Sequence, residues 1–135
     1  MKILALDIGD VWTGIAYSDS LGIIASPYKT VTTSLLISAL ELLLQEEPID
    51  TIVIGHPITL RGTKSDQTHK TEQWAETLKH AFSHINFILW DERYSSKMAH
   101  THKKSKKKEE KRKNHARAAA YILQSYLIYK TLNKT

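Results

Sequence analysis

Residues 2–19 read KILALDIGDVWTGIAYSD: two short apolar runs joined by a glycine-bearing turn, with a carboxylate, Asp7, where the first run ends. Lys2 to Leu6 is nearly continuous in apolar residues, the pattern of a strand buried on both faces, and Asp7 interrupts it. An isolated buried carboxylate is too costly, so Asp7 must be paired, hydrated at the strand's end or bound to a cation. Gly9 and Gly14 flank the turn; they permit the reversal and a close approach to Asp7. A strand, a carboxylate and a Gly-bearing hairpin together suggest a metal or phosphate site, although an ordinary turn Asp carries the same D-x-G signature.

The chain around this hairpin has 135 residues, the length of one domain spanning 1–135 and enough to bury a core without staples. There is no cysteine, which excludes disulfides and thiolate chemistry. No apolar run approaches the roughly 20 residues needed to span a bilayer. The N-terminus enters a strand directly, so a cytoplasmic protein with no membrane partner is expected. The net charge of +5 is unevenly placed, because much of the positive charge falls in a basic segment at about 97–117. Its centre, KKSKKKEEKRK at 103–113, is basic enough to attract a polyanion through phosphate neutralisation. A solvated loop or helix face is the alternative for such a run.

Further along, Leu21 to Thr32 has strand content, with Pro27 implying an edge position or a break. Ser34 is a plausible N-cap for a helix over 35–45, which Pro48 ends. Thr51 to Gly55 (TIVIG) is a short buried strand after a helix, which predicts a parallel crossover. HPITLRGTKS at 56–65 leaves that strand's end, the edge where ligands sit in α/β sheets. Asp66 to His84 has helical periodicity, with Trp74, Leu78, Ala81 and Phe82 on one face. INFILW at 85–90 runs into Asp91, Glu92 and Arg93, repeating the strand-to-acid step at Asp7. Neighbouring parallel strands would bring those ends together, and oxygen-only ligands select Mg²⁺ or Mn²⁺. Alternatively, Asp91 or Glu92 caps a helix and pairs with Arg93. Ser95 or Ser96 is a further candidate cap, leading into the basic run. A last helix is expected over 115–132, with His115 at its start and Ala119, Ile122, Leu123, Tyr126 and Leu127 on its apolar face.

Four motifs occur in an order that resembles the bacterial YqgF family, also called RuvX or Holliday-junction-resolvase-like. They are DIGDVWTGIAYSD from Asp7 with GIIASP from Gly22, IGHPITLRGT from Ile54, DERYSS from Asp91, and AAAYILQSYL from Ala118. The resemblance implies an α/β, RNase H-like fold: a five-stranded mixed sheet of order 3-2-1-4-5, flanked by helices. It also implies a metal-dependent phosphodiester hydrolase, a nuclease linked to 5′-end processing of the small-subunit (16S) rRNA precursor, with a divalent cation, Mg²⁺ or Mn²⁺, as cofactor. Carried over by position, Asp7 and Glu92 are metal ligands and Asp91 an auxiliary carboxylate. His115 stands where the family has an Asp, as a third metal and catalytic position; Trp12 stands near the family's usual hairpin Arg. Phosphate contacts are expected from Arg61, Lys64 and Arg93, and from Lys103, Lys104, Lys106, Lys107, Lys108, Lys111, Arg112 and Lys113.

The expected partner is therefore nucleic acid, either precursor rRNA or branched DNA, met by a monomer or weak homodimer. Because His115 replaces an acid, the competing reading is a catalytically weakened or inactive module that binds nucleic acid or a ribosome precursor. A third reading takes the hairpin as a nucleotide-phosphate loop of the actin and sugar-kinase kind. That reading needs two such domains closing on the nucleotide, and the chain has length for one.

Overall fold

The computed structural model of the chain describes residues 1–94 and 108–133, apart from the side chains of 108–113. Strands β1 (Lys2–Ile8) and β2 (Trp12–Ser18) form the opening hairpin, and β3 (Ala25–Thr32) follows. Helix α1 (Leu36–Glu46), β4 (Ile49–His56), α2 (Asp66–Ala81), β5 (Asn86–Asp91) and α3 (Lys108–Leu132) complete the order. One sheet results, β3-β2-β1-β4-β5. The β1–β2 and β2–β3 pairs are antiparallel, and β1–β4 and β4–β5 are parallel. This is the RNase H-like arrangement that the family resemblance implies.

Alternation along β1 sorts two cores. Leu4, Leu6 and Ile8 pack with Leu36, Leu40 and Leu78 from α1 and α2, while Ile3 and Ala5 pack with Ala119, Ile122 and Leu123 from α3. Asp7 keeps the parity of Ile3 and Ala5, so it belongs to the face that α3 covers. Trp90 fastens that helix to β5, its Nε1 donating to Ser125 Oγ at 2.9 Å. Edge strand β3 carries Pro27, and the β2–β3 register shifts between Ile15 and Ala16.

Several local expectations are corrected. β3 starts at Ala25 rather than Leu21, because Asp19 Oδ1 accepts from the Ile23 and Ile24 N–H groups at 2.7 and 3.0 Å and holds 19–24 as a turn. Ser34 caps nothing: a 3-10 turn, Thr33–Leu35, precedes α1, and the helix starts without a side-chain cap. Thr33 instead ties this segment to the hairpin, its N–H donating to Val11 O and its hydroxyl to Gly9 O. α2 ends at Ala81, which is exposed; Thr68, Thr71, Ala75 and Leu78 face inward and Trp74 is half-buried. Ser65 begins α2 with a capping box completed by Thr68.

α3 begins at Lys108, inside the basic run, so His115 lies two turns into the helix and not at its start. Lys103, Lys104, Lys106, Lys107 and the candidate caps Ser95 and Ser96 lie outside the described residues. So do the side chains of Lys108, Lys111, Arg112 and Lys113. Among the described residues no helix is long and apolar enough to cross a membrane.

Candidate active site

Asp7 sits near the C-terminal end of β1, opposite Gly14 of β2. A Cβ on Gly14 would stand 1.9 Å from the carbonyl oxygen of His115 and 2.6 Å from Ala116 N. The bare glycine thus lets the backbone of α3 rest on the hairpin, and the close approach permitted there is made by a helix. That seat brings His115 Nδ1 to 3.4 Å from Asp7 Oδ2, with both side chains partly exposed.

Glu92 reaches Asp7 by a route that strand order alone does not offer. β1 and β5 are not neighbours, since β4 lies between them, which corrects the expectation that adjacent strands bring the two acids together. Glu92 begins a 3-10 turn just after β5, and its side chain crosses β4 at Gly55. A Cβ on Gly55 would stand 2.7 Å from Glu92 Oε1 and 2.5 Å from Ile122 Cδ1. Only a residue without a side chain leaves that passage open.

Burial raises the Glu92 carboxyl to about 8, helped by the Asp7 charge, a shared hydrogen bond with Asp7 and the Asp91 charge. At neutral pH Glu92 therefore keeps its proton, in the side-chain hydrogen bond that it shares with Asp7. Two carboxylates from residues 85 positions apart are thus held in direct contact.

Asp91 is engaged elsewhere. Arg93 grips it through Nη2 at 2.6 Å and Nε at 2.9 Å, and the Arg93 N–H adds a bond at 2.9 Å. These bonds hold the Asp91 carboxyl below the usual carboxylate range despite its partial burial. Of the predicted site residues, the fold joins Asp7 to Glu92 and to His115, and pairs Asp91 with Arg93. Among the described residues no three His, Asp or Glu side chains lie close enough to enclose a metal ion. The Asp7–Glu92 pair by itself fits a hard divalent cation, which would relieve the repulsion that the shared proton now relieves.

The β4–α2 loop lies against Arg93, where a Cβ on Gly62 would stand 3.5 Å from Arg93 Nη1. Glu72, nearly two turns into α2, accepts from Lys64 Nζ at 2.8 Å, lies 3.0 Å from His56 Nε2, and has its carboxyl lowered chiefly by Lys64. Lys64 remains half exposed in this pairing, Gly62 turns the loop at φ +84°, and Arg61 projects as an exposed residue. Reading the sequence missed the Glu72 clasp and the Gly55 passage. The H-P-x-x-x-x-G loop and the Gly before His56 were the available signals, but which groups they served depended on the neighbouring elements.

Comparison with known proteins places the chain among relatives. The sequence model of the family described as RuvX, Holliday junction resolvase, matches residues 1–129. A protein of Rubrobacter xylanophilus described as a "Putative pre-16S rRNA nuclease" is 35% identical over 93% of this chain and 91% of its own length. One from Sulfurihydrogenibium with the same description is 37% identical over 93% and 89%. In fold, the chain is similar to Thermus thermophilus RuvC in complex with a Holliday junction substrate, at a TM-score of 0.65 and 12% identity over 98% and 96% of the two chains.

Proposed function

Because the chain belongs to the RuvX family of Holliday junction resolvases, we propose that it is a nuclease that hydrolyses phosphodiester bonds of structured nucleic acid with a divalent cation, Mg²⁺ or Mn²⁺, held by Asp7 and Glu92. The 5′ end of the small-subunit rRNA precursor is its substrate in this reading, met in the cytoplasm by a single 1–135 domain. The observation that carries the proposal is the contact between Asp7 and Glu92, two acids far apart in sequence that share one proton at a sheet end. Such a pair is costly as two charges and gains from a cation.

When bound, the cation supplies Lewis-acid polarisation of the scissile phosphate and a lowered pKa for the attacking water. Asp7 and Glu92 hold it, and Gly55 keeps the Glu92 side chain on that path. His115, its Nδ1 3.4 Å from Asp7 Oδ2, stands beside the pair, where a ring nitrogen can accept a proton. Arg61 and Lys64 hold flanking phosphates, and the basic run at 103–113 adds length to that track. The Arg93–Asp91 clamp fixes the turn that presents Glu92.

Incubation with precursor rRNA and with a four-way DNA junction, in Mg²⁺ and in Mn²⁺, tests the proposal. Asp7→Asn and Glu92→Gln are expected to lower cleavage by more than the roughly 10- to 100-fold that loss of a supporting residue costs. Cleavage that survives Asp7→Asn removes the mechanism.

A second reading, a non-catalytic nucleic-acid or ribosome-precursor binding module, is favoured by the finding that two carboxylates, and no set of three ligands, come together among the described residues. His115→Asp separates the two. A gain in cleavage supports an eroded site, and a loss makes His115 part of the catalytic machinery.

A further inference from the structure

On the other side of β1 from the carboxylate pair, a cleft of about 260 Å³ opens between the hairpin turn and α2. Its floor is Ile8 and Gly9, the two residues that follow Asp7, so the cleft and the carboxylates share one strand end. Its wall is Trp74, half-buried against the core and one turn along α2 from Lys70. The volume is below the roughly 300–1,000 Å³ of pockets that enclose drug-sized molecules, and it suits one flat ring system.

The polar groups of the cleft are those that read a base edge. Gln67 spends its Nε2 on Ile8 O at 3.0 Å, which leaves its amide oxygen without a partner among the described residues. The Gln73 side-chain amide and the Trp74 indole N–H likewise have no partner among them. At the rim Lys70 Nζ meets Asp10 Oδ1 at 3.2 Å, and both side chains are more than half exposed. A carboxylate at the rim repels a phosphate but accepts from the exocyclic amine of a base. Aromatic rings take unstacked bases from single-stranded segments, and amides hydrogen-bond their edges.

We propose that this cleft receives one unpaired nucleobase flanking the cleavage position, with Trp74 as its stacking surface and Gln67 and Gln73 as its hydrogen-bonding groups. The inference rests on the nuclease reading, because it needs a nucleic-acid strand over the end of β1. It adds a position of base preference that the carboxylate site cannot supply, since that site meets only phosphate and water.

The test places one abasic site at a time in the single-stranded flank of a precursor-rRNA stem and around a four-way DNA junction, and measures affinity by fluorescence anisotropy. One position is expected to weaken binding about 5- to 100-fold, the range of base–aromatic stacking. In Trp74→Leu that position becomes indifferent, whereas Trp74→Phe retains the effect. Gln73→Ala, at an exposed position that leaves the core alone, is expected to reduce discrimination between bases at the same place. A 4-thiouridine at that position is expected to crosslink to residues 67–77. If nucleic acid binds but no abasic position depends on Trp74 and no crosslink falls on 67–77, the cleft proposal is overturned and the nuclease reading stands. If neither substrate binds at all, both fall together.

Discussion

Glu92 holds a proton at neutral pH because burial and the neighbouring Asp7 raise its carboxyl to about 8. Since the unfolded chain has that group near 4.5, the folded state binds the proton more tightly. Its stabilisation is complete below about 4.5 and is lost as pH rises to about 8. In chelator, the Tm of the protein is expected to fall across that interval. Glu92→Gln should flatten this part of the profile; an unchanged slope in that variant assigns the proton to another group. Mg²⁺ or Mn²⁺ should stabilise the protein more at pH 8.5 than at pH 5.5, because protons and the cation compete for the same oxygens. Gly55→Ala is the companion prediction. A methyl there meets Glu92 Oε1 and Ile122 Cδ1, both at the ends of side chains that can move. Stability should drop by about 1–3 kcal/mol in denaturant titration, with cleavage falling at least about 10-fold as Glu92 leaves Asp7.

Helix α3 carries His115 to Asp7, and its seat on the hairpin is a backbone-to-backbone contact. A methyl at Gly14 would overlap the His115 carbonyl, which cannot rotate aside within a helix. Gly14→Ala is therefore expected to cost about 3 kcal/mol or more, beyond the Gly55 variant, and to raise hydrogen exchange along 114–127. Equal losses for the two glycine variants would contradict this account of how α3 is positioned. The periodicity of 115–132 was legible, because Ala119, Ile122, Leu123 and Leu127 recur at helical spacing and are buried. The start at Lys108 was not, since lysines and glutamates favour helix without marking where one begins. Ser34 misled for a related reason: a capping residue type acts only where the chain's course leaves it at the helix end, and Thr33's bonds to the hairpin set that course.

At the scale of the whole molecule, a net charge of +5 gathered toward one segment predicts binding that weakens steeply with salt. Neutralising lysines of the 103–113 run to Gln should lower the slope of log K against log salt by about 0.9 for each duplex phosphate that is no longer neutralised. A slope unchanged across such variants would remove the run from the binding surface. From the sequence by itself came the five strand segments, the assignment of acids to two strand ends, and the four motifs that identify the family. Each of these rests on local alternation, on helical spacing or on short ordered words. The tertiary structure alone decided that Glu92 passes over β4 through the gap at Gly55, that α3 lowers His115 beside Asp7 on the bare backbone of Gly14, and that Arg93 takes Asp91 out of the pair. Those outcomes depend on strand order, on register and on where a Cβ is missing between residues far apart in the chain, and no local pattern encodes such distances.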